Sequence, residues 1–165
     1  MRISRAPLVI AAALIAAIVG WWAYGHFAGT VGGSTITVYY TKLDGTTEAP
    51  WQVTLGPARD AQSVAFYAAA QALAGPPSDV SAVRFPVGTR VRAVRIEGST
   101  VAVDLTGVRF NGGSFAESGA FKSLVWTMTA LPAINAVAVR IDGTKVTTLP
   151  GGHLELDEPL NRSSW

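Results

Sequence analysis

The chain has 165 residues, room for one ordinary domain, of which 49% are hydrophobic and 15% charged. That balance, with a mean hydropathy of +0.31, excludes a highly charged disordered chain and points to an apolar segment somewhere along it. Lys and Arg outnumber Asp and Glu by 13 to 11, but Arg2 and Arg5 make up the excess, so the pI of 9.2 is no nucleic-acid footprint. The absence of Cys excludes disulfide frameworks, thiol nucleophiles and thiolate metal sites, and two His are too few for a histidine-rich one.

Residues 1–6 carry the two arginines and precede an uncharged run, Pro7 to Tyr24, that would be about 27 Å long as a helix. With Trp21, Trp22 and Tyr24 as an aromatic belt, residues 7–28 are expected to be a single-pass membrane anchor. A signal peptide cleaved after Gly25 is the alternative. The arginines place the N-terminus in the cytoplasm and the remainder outside it. Residues 29–34 (GTVGGS) have linker composition, and residues 35–149 form the expected domain, followed by a loose tail over 150–165.

Alternation in TITVYYT predicts a strand over Thr35–Thr41, and WQVTL a short second strand. Asp60 can cap a helix running to Ala74, with Gly75 and Pro76-Pro77 as its stop. The small face of Ala61, Ala65, Ala68 and Ala72 suits close packing on a sheet. Arg90–Glu97 and Thr100–Leu105 around Gly98-Ser99 read as a hairpin. A second helix beginning at Ser114 or Ser118 ends before Pro132 and carries the core stripe Phe121, Leu124, Val125, Met128 and Leu131. Ala136–Ile141 is a further strand, turned at Asp142-Gly143 into Thr144–Thr148. The fold class is α+β: one mixed sheet with two helices on one face, in the order β-α-β-β-α-β.

The ordered motifs Val38-Tyr39-Tyr40, Leu73-Ala74-Gly75-Pro76, Phe85-Pro86-Val87-Gly88-Thr89, Val101-Ala102-Val103-Asp104-Leu105, Leu124-Val125-Trp126-Thr127-Met128-Thr129, Val139-Arg140-Ile141-Asp142-Gly143 and Pro159-Leu160-Asn161-Arg162 resemble the GerMN domain of sporulation and spore-germination proteins. The resemblance runs from about Thr35 to Arg162. It implies a non-catalytic extracytoplasmic module whose fold is similar to ring-building motifs. Proteins of this type tend to carry two such domains and a lipid-linked cysteine; this sequence has one domain and no Cys.

No catalytic residues, metal site or cofactor are expected. His153 sits in a glycine-flanked stretch beside Glu155, Asp157 and Glu158, whose spacing matches no calcium loop, and Asn111-Gly112-Gly113-Ser114 lacks the lysine of a phosphate-binding loop. Asp104 is expected to cap a backbone N–H or pair with Arg140. The binding candidates are Arg90, Arg92 and Trp126. Arg90 and Arg92 share a strand face by two-residue periodicity, with Arg95 on the other face unless a bulge intervenes. Trp126 falls on the polar side of its helix. Such a surface fits an envelope protein partner or a second copy of the chain, with peptidoglycan, met through arginines and the rings of Trp51 and Tyr39, as the other occupant. No nucleic-acid partner is expected.

Overall fold

The computed structural model describes residues 35–56, 60–111 and 113–165. The apolar run and linker of residues 7–34 lie outside them; among the described residues no helix is long and apolar enough to cross a membrane. Residues Thr35–Trp165 form one compact unit.

Strand β1 (Thr35–Thr41) buries Ile36, Val38 and Tyr40 by simple alternation. It pairs antiparallel with β2 (Glu48–Thr54), with Val38 opposite Trp51 and Tyr39 opposite Pro50. Between them Asp44 accepts the N–H groups of Thr46 and Thr47, each at 2.8 Å, and Gly45 takes φ +75°. Helix α1 (Ala61–Ala74) starts at Asp60, whose Oδ1 accepts the Ser63 N–H at 2.7 Å, and stops at Gly75 with φ +87°. Ala65, Ala68, Ala69 and Ala72 are buried, whereas Ala61 is exposed.

Strands β3 (Arg90–Glu97) and β4 (Thr100–Thr106) form the expected hairpin. Helix α2 (Gly113–Met128) then leads to β5 (Ala136–Ile141), which runs parallel to β4. β6 (Thr144–Lys145) is shorter than the sequence predicts. One face of this sheet, with Val94, Val101, Val103, Leu105, Val137, Val139 and Ile141, packs into a core shared with Phe121, Leu124, Val125 and Met128 of α2. Phe85 meets Phe121 edge-on at 5.3 Å between ring centroids.

The architecture is α+β with two helices, but the single expected sheet is two: a two-stranded β1-β2 sheet and a four-stranded sheet in the order β3-β4-β5-β6. The cause lies on α2. Ser123 Oγ accepts the Thr41 N–H at 2.8 Å, and Thr127 Oγ1, one turn further on, accepts the Tyr39 N–H at 2.9 Å. The free edge of β1 is therefore closed by helix hydroxyls rather than by a third strand, which satisfies its buried amides.

The expected loose tail is also packed. Leu160 exchanges two backbone hydrogen bonds with Val137, both 2.8 Å, and Thr148 bridges Glu155. Leu149, Leu156 and Leu160 are buried. The buried Glu117 carboxylate of α2 accepts the N–H groups of His153 at 2.7 Å and Leu154 at 3.2 Å. A carboxylate so deep in the fold needs such donors.

Candidate functional site

The sheet face turned away from the core carries the arginines, and a β-bulge decides how. Val91 pairs with Leu105 but Ala93 pairs with Asp104, so Arg92 is the extra residue. Beyond the bulge Arg95 stands opposite Ala102, on the same face as Arg90 opposite Thr106. The condition attached to the sequence expectation is met, and Arg90 and Arg95 share the outer face.

Arg92 Nη1 lies 3.3 Å from Asp104 Oδ2, and Asp104 Oδ1 accepts the Gly143 N–H at 2.8 Å. Asp104 thus caps a backbone amide as expected, but its cationic partner is Arg92 and not Arg140. Gly143, at φ +83°, leaves room for that guanidinium: a Cβ there would stand 2.5 Å from Arg92 Nη1. Arg92 remains 55% exposed. Arg90 and Arg95 are exposed and make no ion pair among the described residues.

Two depressions flank β3. The one towards α1, of about 460 Å³, is lined by Gln62, Phe66 and Tyr67 with Arg92, Ala93 and Val94. The one on the outer face, of about 330 Å³, is lined by Arg95, Arg140, Ala102 and Asp104 among others. Phe66 and Tyr67 are 42% and 37% exposed. They were not singled out from the sequence; the signal was present, since both lie off the alanine stripe of α1 that enters the core.

Trp126 lines neither depression. It is half-buried, with the Lys122 ammonium 5.2 Å and the Arg162 guanidinium 5.6 Å from its ring centroid. Arg162 also stands 5.7 Å from the Tyr39 ring and donates to Thr129 Oγ1 at 2.9 Å, clasping the C-terminal segment to α2. Lys122 lies 3.5 Å from Glu48, which accepts the Thr41 hydroxyl at 3.0 Å; burial pushes the Glu48 carboxyl above its ordinary range despite both partners. Trp51 is 39% exposed. Trp51 and Tyr39 oppose adjacent residues in the β1-β2 register, so their rings face opposite sides and build no common platform.

The His153 side chain is 72% exposed, with Nδ1 3.5 Å from Glu117 Oε1. Among the described residues no three His, Asp or Glu side chains group closely enough to hold a metal ion.

The family model described as "Germane: Sporulation and spore germination" matches residues 37–147. Among solved structures, the tandem GerMN domains of the sporulation protein GerM from Bacillus subtilis align with a TM-score of 0.63 at 22% identity over 80% of this chain and 47% of that one. This chain therefore spans about half of that protein's resolved length. The first GerMN domain alone gives 0.61 at 24% identity, covering 79% of this chain and 98% of the other. A putative lipoprotein from Clostridium perfringens gives 0.58 at 18% identity over 81% and 91%. These likenesses establish a shared fold. A search of curated proteins finds no match.

Proposed function

The chain belongs to the Germane family of sporulation and spore-germination proteins, and from that premise we propose that it is a non-catalytic envelope module that works by protein contacts close to the membrane. The apolar run of residues 7–28 anchors it with the N-terminus in the cytoplasm, and the domain lies on the outer side. The observation that carries the protein-contact reading is the arginine-bearing strand β3 beside the exposed rings of Phe66 and Tyr67. Exposed aromatic rings next to arginine are the chemistry of protein interfaces. The motif aspartates Asp104 and Asp142 support the non-catalytic part of the proposal, because both serve the fold. Asp104 is held by Arg92 and Gly143, and Asp142 accepts the Thr106 hydroxyl.

The test pairs two measurements on the full chain. In mild detergent it should stay in the supernatant when mixed with purified cell-wall sacculi, and in cells a photo-crosslinker at Tyr67 should form a protein adduct. Salt-sensitive pelleting with sacculi and no protein adduct would overturn this function in favour of a peptidoglycan-binding module.

A further inference from the structure

We propose that β3 takes an extended acidic segment of a partner protein by strand addition, in the groove it forms with α1. This rests on the protein-contact reading above and names its mode. Every other sheet edge among the described residues is closed or blunted. The free edge of β1 is held by Ser123 and Thr127 of α2. β2 carries Pro50, which has no N–H to offer a further strand. At the far end of the four-stranded sheet, β6 is only two residues long, and beyond it Leu160 pairs with Val137 of β5. β3 ends its sheet over eight residues, and no strand covers its outer N–H and C=O groups.

The two depressions adjoin along this edge, since Ala93 and Val94 line both. Successive side chains of an added strand would therefore enter different surroundings. Those on the core side, level with Val94, meet Phe66 and Tyr67. Those on the outer side meet Arg95 and Arg140, with Glu97 at the same depression and the Asp104 carboxylate there already engaged by Arg92 and the Gly143 N–H. The partner segment reads apolar, acidic, apolar, acidic. Charge also disfavours one competitor: a second copy of β3 paired antiparallel over the whole of Ala93–Glu97 would set Arg95 opposite Arg95, and like charges across strands are unfavourable. The bulge at Arg92 confines regular pairing to Ala93–Glu97.

The probe is a labelled synthetic peptide of alternating valine and glutamate, titrated by fluorescence anisotropy against the full chain in non-ionic detergent. Saturable binding is expected, weakened about tenfold or more by Arg95→Glu and by a smaller factor by Phe66→Ala. Amide hydrogen exchange should slow within Ala93–Glu97. A peptide with valines and glutamates in separate blocks, or with a central proline, should bind at least about tenfold more weakly. Equal binding of the block or proline peptide, or an unchanged affinity with Arg95→Glu, would overturn strand addition. So would concentration-dependent self-association of the chain that Arg95→Glu abolishes. If the peptide fails while Tyr67 still crosslinks to a protein in cells, the edge assignment falls and the protein-contact function stands. Pelleting with sacculi and no adduct would remove both.

Discussion

The hydroxyls that close the edge of β1 give the sharpest test of the fold. Thr41 is wholly buried and its N–H has Ser123 Oγ at 2.8 Å; Thr127, also wholly buried, holds the Tyr39 N–H at 2.9 Å. Ser123→Ala leaves the Thr41 donor with no acceptor, and the expected cost is that of an unsatisfied buried amide, about 1–3 kcal/mol. Thr127→Val keeps the volume and removes the oxygen, so it should cost a similar amount, whereas Thr127→Ser keeps the oxygen and loses one methyl, about 0.8 kcal/mol. The assay is urea denaturation of the full chain in detergent, following the midpoint with an unchanged m-value. The double variant should approach the sum of the single ones unless the two bonds form and break as one unit. If Ser123→Ala and Thr127→Val each shift stability by less than about 0.5 kcal/mol, a surface-substitution value, the latch is incidental.

Three further outcomes follow from the packing. Glu117→Ala removes the acceptor of two backbone N–H groups and should lower stability by about 1.5–3 kcal/mol, with proteolysis opening first within residues 150–165. Leu160→Ala, at a buried position paired with Val137, should cost about 2–4 kcal/mol by denaturant titration. For Glu48, the folded-state pKa is raised above the ordinary 4.5, so the folded chain holds a proton that the unfolded chain has released. Its contribution is greatest below about 4.5 and declines as pH rises through the raised value; the stability difference between the wild type and Glu48→Gln should shift in the wild type's favour on acidification, and a shift the other way would refute the assignment.

The sequence carried most of the element boundaries because local signals set them. Asp60, Gly75, Gly98-Ser99 and Asp142-Gly143 act through their own backbone geometry, and the stripe of Phe121, Leu124, Val125 and Met128 is buried as its period requires. What alternation could not show was the partner of each edge. Ser123 and Thr127 looked like ordinary polar helix residues, although their spacing sets both hydroxyls on one face of α2 where the edge of β1 could meet them. The packed C-terminal segment was hidden for the same reason: Gly151, Gly152 and the acidic residues look solvated, yet Leu154, Leu156 and Leu160 alternate towards the core, and Glu117 is 36 residues away from the His153 amide it binds. The interface role of Trp126 was inferred from helix phase alone, which cannot reveal that Lys122 and Arg162 already lie over its ring.

The bulge in β3 was written in the sequence as an inconsistency. Val91 and Val94 are an odd number apart, so no regular strand can bury both against one core. Without an extra residue, continuing the register from Val91 opposite Leu105 would bring Arg95 opposite Val101, which is fully buried, and turn Val94 outwards. Inserting Arg92 resolves both errors at once: it returns Val94 and Ile96 to the core face and moves Arg95 to the side shared with Arg90. The cost of the irregularity is limited by Asp104, which holds the bulged residue's guanidinium while its other oxygen fixes the Gly143 turn. Deleting Arg92 would therefore remove more than one positive charge. It would take the guanidinium partner away from Asp104, yet Val91, Val94 and Ile96 would stay on the core face and Arg90 and Arg95 on the outer one, because Ala93 opposite Asp104 would then follow Val91 opposite Leu105 in regular register.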